Sequence, residues 1–141
     1  MDATYPPDWR YAKMTRTEIE KHVKAQCKRL TSRKHTIPAT SGRKIRFHVT
    51  ESDIEHLISD ALYRAKGSFF ISDICSLANY FSTAKYVKTE KEEKKGERAV
   101  YFYYYEIHVN DRTLYLNIKE NRQRRRTTLY SITAQIKMPT F

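Results

Sequence analysis

Six polar residues of this 141-residue chain have the side chains that cleavage of a phosphodiester would need: His48, His56, His108, Lys119, Ser131 and Thr133. Breaking RNA beside a 2′-hydroxyl takes a base for that hydroxyl and an acid for the leaving oxygen. It also takes a cation or hydrogen-bond donor for the charge that develops on phosphorus. An imidazole titrates near neutral pH and can serve as either base or acid, which singles out His48 and His108, with His56 as a flanking candidate. Lys119 can hold the phosphate, and the hydroxyls of Ser131 and Thr133 can donate to it. The competing reading is structural, because an antiparallel sheet solvated on one side carries a polar outer row whatever its function.

The elements that would position these groups can be read from the apolar pattern. Thr15-Arg16-Thr17-Glu18 is a capping box, and Ile19, Val23, Cys27 and Leu30 form a thin apolar stripe behind it. Residues 31–43 read as a polar loop punctuated by Pro38 and Gly42, and Lys44 to Val49 as a short alternating strand. Thr50 caps a second helix with Asp53 at its third position. Ile54, Leu57, Ile58, Ala61, Leu62 and Ala65 match the helical repeat, and Gly67 ends it. A third helix is predicted from about Ser72 to Thr83. The mixed charge run 88–98 reads as a solvated loop.

Three strands follow, Ala99 to Val109, Thr113 to Lys119 and Thr127 to Ile136, with a turn at Asn110-Asp111-Arg112. Short turns make them an antiparallel meander. The fold class is α+β, N-terminal helices packed on an antiparallel β-meander, with an arm over 1–14 and a single domain over 15–141. Alternation puts Tyr101, Tyr103, Tyr105, Ile107, Leu114, Leu116, Ile118, Tyr130 and Ile132 on the core face. It puts Tyr104, Glu106, His108, Tyr115, Asn117, Lys119, Leu129, Ser131 and Thr133 on the other.

Charge gives the strongest pointer to a partner. The net charge is +11, unevenly spread: residues 1–50 hold 12 basic and 4 acidic side chains, and residues 121–141 hold 5 basic and none acidic. A fold that joins these ends makes one face attractive to polyanions. The expected contacts are Lys24, Lys28 and Arg29 on the first helix and Arg122, Arg124, Arg125 and Arg126 in the loop before the last strand. There the guanidinium planes can meet phosphates or stack on bases. RNA is the expected partner. The alternatives are a noncatalytic nucleic-acid-binding module and an interaction domain for an acidic protein.

No run of about 18 apolar residues suggests a membrane span, and no metal-ligand spacing, P-loop or GxGxxG appears, so no metal or cofactor is expected. Cys27 and Cys75 read as buried free thiols, with a disulfide as the lesser alternative, which favours a reducing, cytoplasmic setting. His22 and His35 read as solvated and are given no role.

The order of helices and meander resembles the barnase–EndoU–colicin–RelE-like ribonuclease superfamily. In texture it resembles the phage- and mobile-element-associated, polyvalent-protein branch. The residues carrying the resemblance are HVTESDIEHLISDAL (48–62), DICSLANYFSTAKYV (73–87), YFYYYEIHVNDRTLYLNIKE (101–120) and TLYSITAQI (128–136). It implies a small metal-independent endoribonuclease, toxin-like and held by an acidic antitoxin or immunity protein. Its site residues would fall at His48 or His56, Lys119, and Ser131 or Thr133.

Overall fold

A computed structural model describes residues 9–38, 44–64, 69–93 and 99–134. The architecture is α+β. Helices α1 (Arg16–Gln26), α2 (Lys28–Thr31), α3 (Glu51–Ser59) and α4 (Ile71–Ser76) cover one face of a four-stranded antiparallel sheet. Its strands run in the order β3 (Lys85–Glu92), β4 (Val100–Val109), β5 (Arg112–Asn121), β6 (Arg126–Thr133). A two-stranded ribbon, β1 (His35–Pro38) with β2 (Lys44–Phe47), completes it. The ribbon touches the sheet at one rung, where the His48 amide donates to the Thr127 carbonyl (2.9 Å) and His48 pairs in parallel with Thr128.

Helix starts follow the local chemistry. Thr15 Oγ1 accepts from the Glu18 amide while Glu18 accepts from the Thr15 amide, and Thr50 and Asp53 do the same for α3. Each pair satisfies two amide donors that helix geometry leaves orphaned. After α3 the chain makes a π-helical turn over Asp60–Arg64. After α4 it tightens into a 3-10 turn over Leu77–Thr83, so the third predicted helix is regular only in its first half. The helix end foreseen at Gly67, the loop 94–98, residues 1–8 and the last residues from Gln135 lie outside the described residues.

The core lies between α3, α4 and the inner sheet face. Ile54, Leu57, Ile58, Ile74 and Leu77 meet Tyr105, Ile107, Leu114, Leu116, Ile118, Leu129 and Ile132, all buried. Each such aliphatic side chain contributes about 1.5–3 kcal/mol by leaving water. Two polar clasps tie the layers together. Arg16 donates to the Glu55 carbonyl and to Ser59 Oγ, joining α1 to α3. Arg112 grips Asp73 through two 2.7 Å bonds, while Asp73 also caps the Phe70 amide.

Several expectations are corrected. Residues 35–38, expected as loop, are strand β1, because Ile37 fills the core and His35 packs edge-on to Phe81. His35 is buried rather than solvated, and its Nε2 lies 2.7 Å from the Leu30 carbonyl. The start of the charged run, 88–92, belongs to β3, where Lys88 and Glu90 pair with each other and with Tyr104 on β4. Cys27 and Cys75 are not free thiols. They form a disulfide with Cα atoms 5.0 Å apart, since α1 and α4 pack side by side and bring the two stripe positions together.

The face assignment of β6 is also corrected. Its register with β5 shifts between Asn117 (opposite Ser131) and Ile118 (opposite Leu129), leaving Tyr130 as the extra residue of a β-bulge. The bulge inverts the alternation upstream of it. Leu129 turns into the core, and Tyr130, expected inside, is 42% exposed on the outer face.

Candidate functional site

Lateral register decides which candidate groups share a surface. Residues paired across strands point to the same face, and neighbouring strands lie about 4.8 Å apart. Lys119 pairs with Thr128, and Thr128 with His48, so His48 and Lys119 flank Thr128 on the outer face with Cα atoms about 10 Å apart. Arg46 and Arg126 stand two residues before His48 and Thr128 and project from the same face. Lys34 precedes His35, the partner of Phe47, and so stands beside His48.

These residues enclose a hollow of about 270 Å³ where the ribbon meets the β5–β6 hairpin. Its walls are Lys34, Arg46, His48, Arg125, Arg126 and Thr127 over Phe47. The wall holds four permanent cations and no carboxylate. None of the four has an ion-pair partner among the described residues, whereas Lys24, Arg112 and Arg122 are each paired. Burial is slight: Arg46, His48, Arg125 and Arg126 are exposed. Four unpaired cations at such close quarters repel one another, and an anion between them removes that cost. Arg125 adds backbone strain, its φ of 52° falling in the left-handed region that disfavours any residue with a Cβ.

The remaining candidates separate. Arg122 lies on the opposite face, bound to Glu120 (3.1 Å) and stacked over Tyr101 (4.2 Å). Arg124 is exposed at the hairpin, its amide bonded to Asn121. Lys24 is paired with Glu55 (3.1 Å), and Lys28 and Arg29 are exposed on α2. Ser131 sits opposite Asn117, two rungs from the Lys119–Thr128 pair, and Thr133 opposite Tyr115. His108 is at the far end, opposite Thr113, with its Nδ1 3.2 Å from the Thr113 hydroxyl and its Nε2 3.5 Å from Glu106. Six residues of β5 separate that rung from Lys119, or about 20 Å, so His108 and Lys119 cannot touch one phosphate. His56 stands on the flank of α3, 3.8 Å from Asp60, with its ring 6.1 Å from that of Tyr130.

Between these ends the outer face is aromatic. Phe102 and Tyr130 meet edge to face at 5.6 Å, and the Lys119 ammonium lies over both rings, 5.9 and 5.0 Å from their centres. The Tyr104 hydroxyl donates to Glu90 (3.3 Å), and its phenol is pushed up, first by burial and then by the Glu90 charge.

Two wall residues, Lys34 and Arg46, escaped the sequence reading. Arg46 carried a signal, since it alternates with Ile45 and Phe47 and must face away from the core. Lys34 carried none, because its strand was not foreseen. Among the described residues no group of three or more His, Cys, Asp or Glu side chains is placed to hold a metal, and no helix is long and apolar enough to cross a membrane. No family model, no curated protein and no solved structure matches the chain.

Proposed function

We propose that the protein binds RNA through its backbone phosphates, in the hollow formed by Lys34, Arg46, Arg125 and Arg126. The observation that carries this reading is the four-cation wall without a carboxylate. Arg forks match phosphate oxygens bidentately, and the release of counterions from the nucleic acid supplies the driving force.

The test is a titration of fluorescently labelled single-stranded RNA at several salt concentrations. Affinity falls steeply as salt rises. Arg46→Ala and Arg126→Ala each weaken binding and flatten the salt slope by about 0.7. Absence of binding at low salt, or unchanged binding in the double variant, refutes the reading.

A second reading, metal-independent RNA cleavage, is favoured by His48 itself. Its imidazole lines the phosphate hollow, one strand over from Thr128 and two from Lys119. A phosphate lying across Thr128 would have an acid–base group on one side and a cation on the other, leaving the acid for the departing oxygen to a second group. His56, its ring 6.1 Å from that of Tyr130, is the candidate for the second imidazole. Incubation with RNA in EDTA decides. Cleavage by the native protein that His48→Ala abolishes, with binding retained, supports catalysis. Intact RNA leaves a binding module. A toxin-like role under an acidic antitoxin would show as growth arrest on expression that the same substitution relieves.

The cytoplasmic setting expected from free thiols loses its premise, because the two cysteines are joined. A disulfide of this kind persists in oxidising compartments.

A further inference from the structure

A second hollow, of about 400 Å³, opens on the same sheet face beside Lys119. Its lining is Phe102, Tyr104, Asn117 and Tyr130 with Glu90, Lys91 and Glu92. Unlike the cationic corner it mixes carboxylates with a cation, and Glu90 is itself paired with Lys88. The rings offer stacking surfaces. Asn117 forms the floor, only 7% exposed, and its buried Oδ1 has no hydrogen-bond partner among the described residues. A buried acceptor left without a donor costs free energy that a ligand's N–H can return. Tyr130 is outward and exposed only because of the bulge in β6.

We propose that this hollow is a base subsite for single-stranded RNA, holding one unpaired base, and that the base it prefers bears an exocyclic amino group. The base stacks against Tyr130 and Tyr104. Its amino group donates to the acceptors grouped there, Asn117 Oδ1 and the Glu90 carboxylate. Lys119, lying over the Tyr130 ring, meets the backbone as it leaves the hollow and leads it toward Arg126. From the Asn117 rung to the Asn121–Arg126 rung is four residues of β5, or about 13 Å. That exceeds the ~3.4 Å rise per nucleotide of a stacked strand. The phosphate held in the corner therefore belongs to a different nucleotide from the base over Asn117. Duplex RNA cannot satisfy both sites, because its bases are stacked and paired away from the floor.

This inference rests on the phosphate reading of the cationic corner, and the experiment separates the two. Affinities of the native protein, Tyr130→Ala and Tyr130→Phe are measured for a labelled cytidine decamer, a uridine decamer and an RNA duplex of equal length. The cytidine strand binds more tightly than the uridine strand, which differs at the ring position where an amine is replaced by a carbonyl, and more tightly than the duplex. Tyr130→Ala weakens the cytidine strand about tenfold and leaves the duplex within twofold, while Tyr130→Phe keeps native affinity. Equal affinity for cytidine and uridine strands overturns the amino-group preference. Loss of single-strand and duplex binding alike in Tyr130→Ala, or no loss of either, overturns the base subsite while the corner stands. No binding of any RNA by the native protein overturns both.

Discussion

His48 and Thr128 pair in parallel at a single rung, held by the His48 amide on the Thr127 carbonyl at 2.9 Å. That bond joins the basic N-terminal half of the chain to the arginine-rich hairpin. Without it, Lys34 and Arg46 on one side and Arg125 and Arg126 on the other would be two separate patches. With it, they surround one hollow, and the imidazole of His48 is part of the wall.

Arg125 places a side chain where backbone geometry prefers none. Replacing it with Gly removes the left-handed penalty, so Arg125→Gly raises unfolding free energy by about 1 kcal/mol in urea titrations. The same variant binds RNA more weakly. A gain in stability together with a loss of affinity shows that the strain serves the site. A variant that binds RNA as well as the native protein removes Arg125 from the contact surface.

Asp73 is a buried carboxylate with a full set of donors, two from Arg112 and one from the Phe70 amide. Asp73→Asn leaves the guanidinium facing a neutral amide and destabilises the fold by about 3 kcal/mol in chemical denaturation. Arg112 also lies over the Phe70 ring, so Arg112→Lys, which loses the fork and the stacking, does not keep native stability.

The Cys27–Cys75 bond closes a loop with a sequence separation of 48. A loop of that length restricts the unfolded chain enough to contribute about 4 kcal/mol. Thermal unfolding with and without reductant measures it. The double variant Cys27→Ala/Cys75→Ala should match the reduced protein and be insensitive to reductant.

Tyr103 is raised from 10.0 to about 12, first by burial and then by its bond to Glu120. Its folded value lies above its unfolded one, so its contribution to stability is complete below pH 10 and is lost as pH rises from 10 toward 12. Burial raises Tyr105 in the same direction. Absorbance titration should show phenols that resist ionisation until unfolding begins, and Tyr103→Phe should flatten the alkaline loss of stability.

The elements legible in the sequence were those whose signal is local. Both threonine capping boxes and the α3 stripe were visible because each lies within one or two helical turns. The meander was visible in its aromatic and β-branched runs. Features that depend on two distant segments were not. Strand β1 forms only because β2 lies beside it, so residues 35–38 look like loop when read alone. The bulge at Tyr130 is a register choice between β5 and β6, and strict alternation placed Tyr130 and Leu129 on each other's faces. The disulfide required the packing of α1 on α4. Among the candidate site residues, His48 and the hairpin arginines were singled out individually, but their meeting depended on a parallel rung that no spacing announces. Lys24 and Arg122 illustrate the opposite failure, since a basic residue in a basic stretch can already be matched to a carboxylate.

The disulfide bears on the site as well as on stability. The covalent ring it closes, from Cys27 to Cys75, contains Lys34, Arg46 and His48. Lys119, Arg125 and Arg126 lie on the meander outside it. The hollow therefore straddles a seam between the closed ring and the meander. Beneath it the ring's α3 and α4 pack on the inner sheet face and Asp73 is gripped by Arg112, while at the outer corner the His48–Thr127 bond joins the two edges. A strand of RNA lying across the corner would span that seam and act as a second stitch there.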